Sequence, residues 1–438
     1  MSTLQPARLL AAQAVWPVDR VKDHASKIGS GVTPSGGAAA YLDTGVPLLR
    51  SQNVHFDGLR LDDVAYIGED THDEMGGSKL RPRDVLLNIT GASIGRCAYV
   101  PEDFGEGNVN QHVCIIRPAA KLNHKFLTYC LSAPWGQDQV FAGFTGASRQ
   151  GLGQRDLGEI QVPLPPLPEQ QRIATYLDAS CAAIDAAVSA KRRQLDTLEA
   201  LRMSIIQRAV TQGINPKVKL KSSGLDWVSE VPEHWKVQQI KRKCSLVRGQ
   251  FTHRPRNDPA LYDGPYPFVQ TGDITAADKY IRTYSQTLNE LGLSASKQFP
   301  RGTLVMSIAA NIGDVAILDF EACFPDSMIG MIPGHQAHLD FLYYLMRAMR
   351  PIMLRSAVQS TQLNLNYVRI GTNFAPFPPL EEQRVIAKYL DAKEAESSRI
   401  RATITAQIDT LIAYRKSLIH ECVTGQRRVT EADVAAIA

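Results

Sequence analysis

The sequence predicts a mixed α/β protein with an internal duplication: two globular domains, each followed by a long helix. The stretch PLPPLPEQQRIATYLD at Pro163 recurs as PFPPLEEQRVIAKYLD at Pro376, and about 23 of 49 aligned positions are identical without a gap. A long segment without proline or glycine follows each stretch. The segments before them combine short apolar runs with many turn residues, as mixed α/β domains do.

Both long segments, 169–212 and 382–424, are predicted to be helices. Apolar residues recur along each at spacings of three, four and seven. Pro168 suits a first helical turn, and Gly213 and Gly425 suit the ends of the two helices. At about 1.5 Å per residue, some 40 residues extend roughly 60 Å. A narrow apolar stripe of that length favours pairing with another helix, and the obvious partner is the other copy.

The two remaining segments, about 1–165 and 214–378, resemble each other only faintly, but their landmarks keep the same order. The matched pairs are Trp16 with Trp235, VPLLRSQNV at Val46 with YPFVQTGDI at Tyr266, DVLLNITGASIGRCAYV at Asp84 with TLVMSIAANIGDVAIL at Thr303, and KFLTYCL at Lys125 with DFLYYLM at Asp340. The whole chain is therefore a duplication in which the helices kept their sequence and the globular parts diverged. Such a chain suggests two domains with different ligands.

The composition is that of a globular protein, with 44% hydrophobic and 21% charged residues in 438. Seven scattered cysteines form neither a disulfide framework nor a C-x-x-C site, so a reducing cytoplasm is expected. No secretory signal and no run of about 18 apolar residues is present, and no membrane association is expected.

Positive charge is concentrated in one part of the chain. The net charge is only +4, but ten Lys or Arg and three acidic residues lie between Lys217 and Arg256. This local excess of about +7 is typical of a surface that contacts phosphates. An ordinary solvated surface is the alternative interpretation.

No catalytic motif is present. The sequence lacks a phosphate loop, a dinucleotide-binding G-x-G-x-x-G, H-E-x-x-H, G-x-S-x-G and an Asn-Pro-Pro-aromatic tetrad. The ten histidines are dispersed, and His112, His253 and His335 are expected to be structural or surface residues. We therefore expect neither a catalytic centre nor a metal site.

Polar loops stand at matched places in the two globular segments. GSGVTPSGG at Gly29 matches RGQFTHRPRND at Arg248, TGASIGR at Thr90 matches AANIGD at Ala309, and TGASRQGLGQR at Thr145 matches QSTQLNLN at Gln359. Their side chains are of the types that contact phosphates and base edges, although the same residues are also usual in turns. The matched positions favour recognition.

These elements together resemble the specificity subunit of a type I restriction-modification enzyme. The resemblance rests on the Pro-Leu-x-Glu-Gln-x-x-Ile-Ala-x-Tyr-Leu-Asp helix starts at Pro166 and Pro379, SGLDWVSEVPEHWKV at Ser223, GVTPS at Gly31, TGASIGR at Thr90 and the duplication. It covers nearly all of the chain. The second globular segment departs from the pattern, with QFTHR and AANIG in place of the Gly-x-Thr-Pro and Thr-Gly-Ala forms.

The resemblance implies two target recognition domains that each read one half of a split DNA sequence, separated by two long antiparallel coiled-coil helices. It predicts the division 1–165 for the first recognition domain, 166–213 for the central helix, 214–378 for the second recognition domain, 379–426 for the second helix and 427–438 for a tail.

In that family the paired helices set the spacing and dock two methyltransferase subunits, which bind S-adenosylmethionine and methylate adenine. Two restriction subunits that use ATP with Mg²⁺ can then join. The resemblance implies no catalytic residue and no cofactor in this chain, whose DNA partner is double-stranded.

Two sets of contact residues are predicted. Those for DNA are Thr33, Ser35, Thr90, Ser93, Arg96, Ser148, Arg149, Gln150, Arg248, Gln250, Thr252, Arg254, Asn311, Gln359, Thr361, Gln362 and Asn364. Those for methyltransferase docking are Glu169, Gln170, Tyr176, Glu382, Gln383 and Tyr389. For the second set, capping and packing within their own domain is the alternative.

Two other functions are weighed. A tandem scaffold would bind proteins through its helices and small molecules or peptides through its globular domains, without DNA. A nuclease or methyltransferase with an unrecognised active site is the second, and the missing motifs argue against it.

Overall fold

The structure, a computed structural model, describes residues 14–144, 152–309, 311–358 and 367–437. The chain forms two compact units. Unit 1 consists of the chain up to Arg192 and from Thr405 onward, and unit 2 is Arg193–Ile404. Each unit thus contains a globular part and a portion of both long helices.

The α-helices of the described residues are numbered in chain order. They are α1 Glu69–Glu74, α2 His124–Ser132, α3 Pro134–Phe144, α4 Gln154–Gly158, α5 Leu167–Gln212, α6 Thr271–Ala276, α7 Glu290–Ser294, α8 Leu339–Val358, α9 Tyr367–Thr372, α10 Leu380–Thr424 and α11 Glu431–Ala435. The two long helices predicted from the sequence, α5 and α10, are confirmed.

Unit 1 is built on an antiparallel sheet of order β2-β10-β7-β8 and a smaller sheet of order β6-β3-β9. A third pairing joins β1 to β11. The strands of this unit are β1 Val18–Arg20, β2 Ala25–Ser30, β3 Val46–Leu49, β4 Val54–His55, β5 Gly58–Leu59, β6 Ala65–Ile67, β7 Val85–Asn88, β8 Cys97–Tyr99, β9 Asn108–Val109, β10 Val113–Pro118 and β11 Gln161–Pro163.

Unit 2 repeats this plan with a sheet of order β15-β23-β20-β21-β17 and a second sheet of order β18-β16-β22-β19. β14 pairs with β24 as β1 does with β11. The strands are β12 Leu220–Leu225, β13 Val228–Pro232, β14 Lys236–Gln239, β15 Cys244–Arg248, β16 Tyr262–Phe268, β17 Tyr280–Ile281, β18 Gln286–Leu288, β19 Gln298–Phe299, β20 Leu304–Ser307, β21 Val315–Leu318, β22 Ala322–Cys323, β23 Met328–Pro333 and β24 Phe374–Phe377.

The duplication predicted from the sequence is therefore present in the fold. In both units the second strand of the main sheet, β10 or β23, is antiparallel to both of its neighbours. The mixed α/β class is confirmed, although the globular parts diverged in sequence.

Each long helix ends at a glycine that packs on a tryptophan. Gly213 and Gly425 have φ of 75° and 80°, the left-handed region that glycine enters without a steric penalty. A Cβ at Gly425 would lie 2.4 Å from Trp16 Nε1, and one at Gly213 would lie 3.3 Å from Trp235 Cζ2. The tryptophan that opens each globular part thus closes one helix end within the same unit.

The portions of α5 and α10 in each unit run antiparallel. In unit 2, Arg202 pairs with Glu394, while a Cβ at Gly213, directly after α5, would lie 3.4 Å from Oε1 of Glu382, which is earlier in α10. In unit 1, Asp185 of α5 pairs with Arg415 of α10. The predicted antiparallel pairing is confirmed within each unit.

The helices share a hydrophobic core with the sheet of unit 2. Ile206 and Val210 of α5 and Ile386 and Leu390 of α10 are at most 1% exposed and pack in one cluster with Phe341 of α8. Burying a side chain of this size contributes about 1.5 to 3 kcal/mol. The end of α5 and the start of α10 are therefore anchored to the globular part of unit 2.

No helix in the described ranges is long and apolar enough to cross a membrane.

Candidate nucleic-acid interface

Three loops of unit 1 meet at one edge of its main sheet. β2 and β7 both pair antiparallel with β10, so they end where β10 begins. The loops 31–35 and 90–96 and the turn 110–112 therefore lie side by side, and together they are called the unit 1 loop edge. This edge carries five predicted contact residues, namely Thr33, Ser35, Thr90, Ser93 and Arg96.

A chain of hydrogen bonds links the three loops. The Thr33 hydroxyl bonds the Gln111 carboxamide oxygen. The Gln111 amide nitrogen lies 3.1 Å from His112 Nε2, and His112 Nδ1 lies 2.7 Å from Thr90 Oγ1. Since the amide nitrogen is a donor, His112 Nε2 accepts and Nδ1–H donates to Thr90. The Thr90 hydroxyl hydrogen is then left to donate to a ligand.

Arg96 supplies a positive charge at this edge. Its backbone N–H is bonded to the Ser93 carbonyl at 3.2 Å, which fixes the loop. Its guanidinium makes no ion pair or hydrogen bond with any residue that the structure describes. The exposed Ser35 hydroxyl is likewise without a described partner. Both groups are available to an external ligand.

Glycine is required where the first loop leaves the sheet in each unit. A Cβ at Gly31 would lie 1.8 Å from the Val109 carbonyl oxygen, and one at Gly249 would lie 2.3 Å from the Pro325 carbonyl oxygen. Real Cβ atoms do not approach backbone oxygen this closely. The two glycines therefore occupy equivalent positions and admit no larger residue without a shift of the backbone.

Three backbone hydrogen bonds of the loop after β7 recur in the loop after β20. In unit 1 the bonds join Asn88 N to Arg96 O, Gly95 N to Asn88 O and Arg96 N to Ser93 O, at 2.8, 2.9 and 3.2 Å. In unit 2 they join Ser307 N to Asp314 O, Gly313 N to Ser307 O and Asp314 N to Asn311 O, at 2.9, 2.9 and 3.2 Å. Asn311 thus stands where Ser93 stands, and Asp314 where Arg96 stands.

The charge at this position is opposite in the two units. Asp314 accepts the Arg350 guanidinium at 2.8 Å and the Thr275 hydroxyl at 2.9 Å. Asn311 Nδ2 donates to the same Thr275 oxygen at 2.9 Å. Unit 1 therefore presents a free cation where unit 2 presents a neutralised carboxylate, on the same backbone.

A second acidic residue, Asp326, binds two arginines beside this loop of unit 2. Asp326 corresponds to Gln111, since the turn before β23 has the same backbone bond, Met328 N to Pro325 O, as the turn before β10. The Asp326 carboxylate binds Arg256 at 2.5 Å, and its backbone carbonyl accepts from Arg248 Nε at 2.8 Å. Residues 249–256, 308–314 and 325–327 are together called the unit 2 loop edge, of which residue 310 is not described.

The other predicted contact residues of this edge differ in whether their side chains already have hydrogen-bond partners within the protein. Gln250 is exposed, and its side chain has no described partner. Thr252 Oγ1 donates to the Ala295 carbonyl at 3.2 Å. Arg254 is also exposed, but its NH1 donates to the carbonyls of Phe251 and His253 at 2.7 and 2.8 Å, so it braces its own loop.

Seven predicted DNA contacts lie outside the described residues. They are Ser148, Arg149, Gln150, Gln359, Thr361, Gln362 and Asn364.

Two of the residues predicted for docking are buried. Gln170 is 0% exposed: its Oε1 accepts from Asn123 N at 2.8 Å, and its Nε2 donates to the Lys121 and Pro165 carbonyls. Gln383 is 1% exposed and makes the equivalent bonds in unit 2. Each carboxamide thus ties the start of its helix to the globular part that precedes it. This is the alternative considered from the sequence, in which these residues pack within their own domain.

The other four residues of that set have different surroundings. Glu169 is buried and pairs with Arg172. Glu382 pairs with His234 Nε2 at 2.8 Å. Tyr176 is 7% exposed, whereas Tyr389, its repeat equivalent, is 36% exposed.

Sequence reasoning missed three residues of the two loop edges. Gln111 and Asp326 organise the edges, and His112, expected to be structural, connects Gln111 to Thr90. The only signal was their position directly before the matched strands β10 and β23. Within the described ranges, no group of three His, Cys, Asp or Glu side chains is placed to hold a metal ion.

A sequence model of one protein family matches most of the chain. The family is described as the type I restriction modification DNA specificity domain, and the match covers residues 77–195 and 232–410.

Specificity subunits of type I restriction enzymes are similar over most of their length. The putative MjaX subunit of Methanocaldococcus jannaschii is 24% identical, with 94% of each chain covered. The EcoKI subunit of Escherichia coli K12 is 21% identical, with 89% of this chain and 84% of the relative covered.

Two solved structures share the fold. One comes from a study of complex assembly and conformational transition of the type I restriction-modification system; it has a TM-score of 0.72 at 17% identity and covers 94% of this chain and 98% of its own. The other is the HsdS subunit of Thermoanaerobacter tengcongensis, with a TM-score of 0.54 at 17% identity, covering 94% and 97%.

Proposed function

Because the chain belongs to the type I restriction-modification DNA specificity family, we propose that it is the subunit that reads a bipartite DNA sequence, one half with each loop edge. Its role in that family is recognition of a DNA sequence and not catalysis. The tandem scaffold without DNA has no support from its relatives.

One observation carries the proposal: the same loop edge is built twice with different side chains. The backbone bonds after β7 recur after β20, while Arg96 is replaced by Asp314 and Gln111 by Asp326. A repeated frame with exchanged polar groups is what two different half-sites require, because base edges are distinguished by their pattern of hydrogen-bond donors and acceptors.

The groups on the two edges suit a duplex. The Thr90 hydroxyl has no described acceptor for its hydrogen. The Arg96 guanidinium and the Gln250 carboxamide have no described hydrogen-bond partner. Arginine can contact guanine or phosphate, and glutamine can bind adenine with two hydrogen bonds. Arg248 and Arg256, held by Asp326, supply further charge beside the bases.

Chemistry on the DNA belongs to partner subunits in this proposal. Two methyltransferase subunits bring S-adenosylmethionine and methylate adenine in each half-site, and the paired helices set the gap between halves. Restriction subunits with ATP and Mg²⁺ join the complex where they are present. The assembly works in the cytoplasm.

Binding of the purified chain to duplex DNA over a series of salt concentrations tests the proposal. Recognition through phosphates releases counterions, so log K must fall linearly with log salt. Affinity for a duplex that contains the sequence methylated by the assembled complex must also exceed affinity for a scrambled duplex of equal length. The proposal is contradicted if the chain binds no duplex, either alone or with its methyltransferase. It is also contradicted if the affinity depends on neither salt concentration nor DNA sequence, and both results favour the scaffold.

A further inference from the structure

Tyr176 in α5 and Tyr389 in α10 occupy the same place in the repeat, but only Tyr176 is covered. The Arg427 NH2 donates to the Tyr176 hydroxyl at 2.7 Å. The Arg427 guanidinium carbon lies 5.3 Å from the centre of the Tyr176 ring, within the range of a cation–π contact. Residue 427 belongs to the segment that follows α10.

That segment, residues 426–437, is called the return segment because it packs back on the start of α5 in unit 1. Arg427 N–H bonds the Glu421 carbonyl at 2.9 Å, and Val429 is 2% exposed. Glu431 lies 3.8 Å from Arg172, one turn before Tyr176 on the same helix face. The return segment therefore covers the surface around Arg172 and Tyr176.

The equivalent surface of unit 2 is open and apolar. Val385, in the place of Arg172, is 54% exposed, and Tyr389 is 36% exposed. The residues after α5 leave both partly open, and Ile214 and Leu220 among them are themselves 40% and 38% exposed. Tyr389, Ile214 and Leu220 line a cavity of about 320 Å³, here called the Tyr389 cavity.

Positive charge surrounds this cavity. Arg208 of α5 lines it, and Lys217 and Lys219 alternate with the lining residues Pro216 and Val218. All three cations are exposed, and none has an ion pair or side-chain hydrogen bond with a described residue. In unit 1 the position of Arg208 is taken by Glu421, so the charge is particular to unit 2.

We propose that the Tyr389 cavity is a docking surface for an acidic, apolar segment of the methyltransferase subunit. In unit 1 the return segment fills the equivalent place, so the two methyltransferases bind in unequal steps. The first binds unit 2 without displacing any part of this chain. The second binds unit 1 and must displace the return segment. This inference rests on the proposed function and adds an order of assembly to it.

The chemistry of the cavity decides between possible occupants. The return segment of a second copy carries two arginines and two acidic residues, so it has no net charge to match three cations. A DNA phosphate would gain nothing from the exposed rings and aliphatic groups of Val385, Tyr389 and Leu220. An apolar segment flanked by Asp or Glu satisfies both features.

The test is a titration of this chain with its co-encoded methyltransferase subunit, followed by native mass spectrometry. For the parent chain we expect two binding steps that differ by at least about tenfold. The Val385→Glu, Tyr389→Glu double variant should weaken the tighter step at least about tenfold, so that most of the difference between the two steps disappears. Lys217→Glu with Lys219→Glu, at exposed positions, should weaken the same step and make it less dependent on salt.

Two controls separate docking from damage to the fold. Leu291→Glu changes an equally exposed apolar residue of unit 2 outside the cavity, and it should leave both steps unchanged. Arg427→Ala with Val429→Ser loosens the return segment and should tighten only the weaker step, bringing the two constants together.

Several outcomes overturn the inference. The first is equal dissociation constants for the two steps in the parent chain. The second is a tighter step whose constant is unchanged in the Tyr389 and lysine variants. The third is a weaker step whose constant is unchanged when the return segment is loosened. Self-association of the chain that depends on Tyr389 would assign the cavity to a second copy instead. Complete failure of the parent chain to bind the methyltransferase would contradict the proposed function, which keeps the two failures distinct.

Discussion

Arg202 of α5 and Glu394 of α10 form a chelated ion pair within unit 2, with Arg202 Nε 2.9 and 2.8 Å from the two carboxylate oxygens. Arg415, the repeat equivalent of Arg202, pairs instead with Asp185 at 3.2 Å in unit 1. By the repeat, Glu394 corresponds to Cys181, one helical turn before Asp185. The duplication thus kept the arginine and moved its acidic partner by a turn.

The two pairs should differ in their contribution to stability. The carboxyl and guanidinium groups of the Arg202 pair are only 20% and 21% exposed, whereas Asp185 is 50% exposed. Burial alone would lower the pKa of Arg202, but Glu394 and Glu199 outweigh it and raise that pKa. Glu394→Gln should cost about 1 to 3 kcal/mol, because it leaves Arg202 with only the more exposed carboxylate of Glu199 as its counter-charge.

Hydrogen exchange in the α10 portion of unit 2 measures this cost locally, and exchange in the α10 portion of unit 1 measures the cost of the control. The matched control is Asp185→Asn, for which less than about 1 kcal/mol is expected. Equal losses in the two variants would show that burial does not distinguish the pairs.

Gln170 and Gln383 should be more important for folding than their exposed neighbours. Replacing either by Leu removes three hydrogen bonds to backbone groups, of which those to the Pro165 and Pro378 carbonyls are fully buried. A cost of about 1 to 3 kcal/mol is expected for each group left without a partner. Gln171→Leu, at an exposed position next to Gln170, should change the unfolding midpoint little. Thermal unfolding that ranks the three variants equally would refute this role.

Glycine at positions 31 and 249 should be essential to the two loop edges. Gly31→Ala and Gly249→Ala should each cost about 1 to 3 kcal/mol, because the added methyl group meets backbone oxygen and the loop must shift. Gly272→Ala is the control, since a Cβ there meets nothing within 4 Å. Chemical denaturation checks the stabilities, and each loop variant should relax recognition of one half-site only. Unchanged stability and recognition would argue against the close approach.

Arg96 should contribute one ionic contact with DNA. Arg96→Ala should reduce the slope of log K against log salt by about 1 if the guanidinium meets a phosphate. Arg384→Ala removes the same charge from an exposed i,i+3 pair on α10 and should leave the slope unchanged. Binding isotherms at four or more salt concentrations measure both slopes. A slope that falls equally in both variants would mean that net charge, and not this contact, controls binding.

The sequence sufficed for the helices and the duplication because their signals are local. Apolar spacing, Pro168 and the left-handed glycines at 213 and 425 determine where the helices run and end. The correspondence of Ser93 with Asn311 could also be predicted, since the Ile-Gly pair that follows both residues survives in each copy.

Contacts that depend on strand order could not be predicted. Gln111 meets Thr33, and Asp326 meets Arg248, only because β10 and β23 lie next to β2 and β15. In the same way, the partner of Gln170 is Asn123, 47 residues earlier in the chain. A matched polar residue at a helix start therefore looks the same in the sequence whether it binds a partner protein or its own domain.

The most direct test of the central claim is a map of methylated adenines in a methylation-free host that expresses this chain with its methyltransferase subunit. The account predicts one split motif with an adenine methylated in each half, of which Arg96→Ala alters one half and Asn311→Ala alters only the other. A continuous motif, or two variants that alter the same half, would contradict the assignment of one half-site to each loop edge.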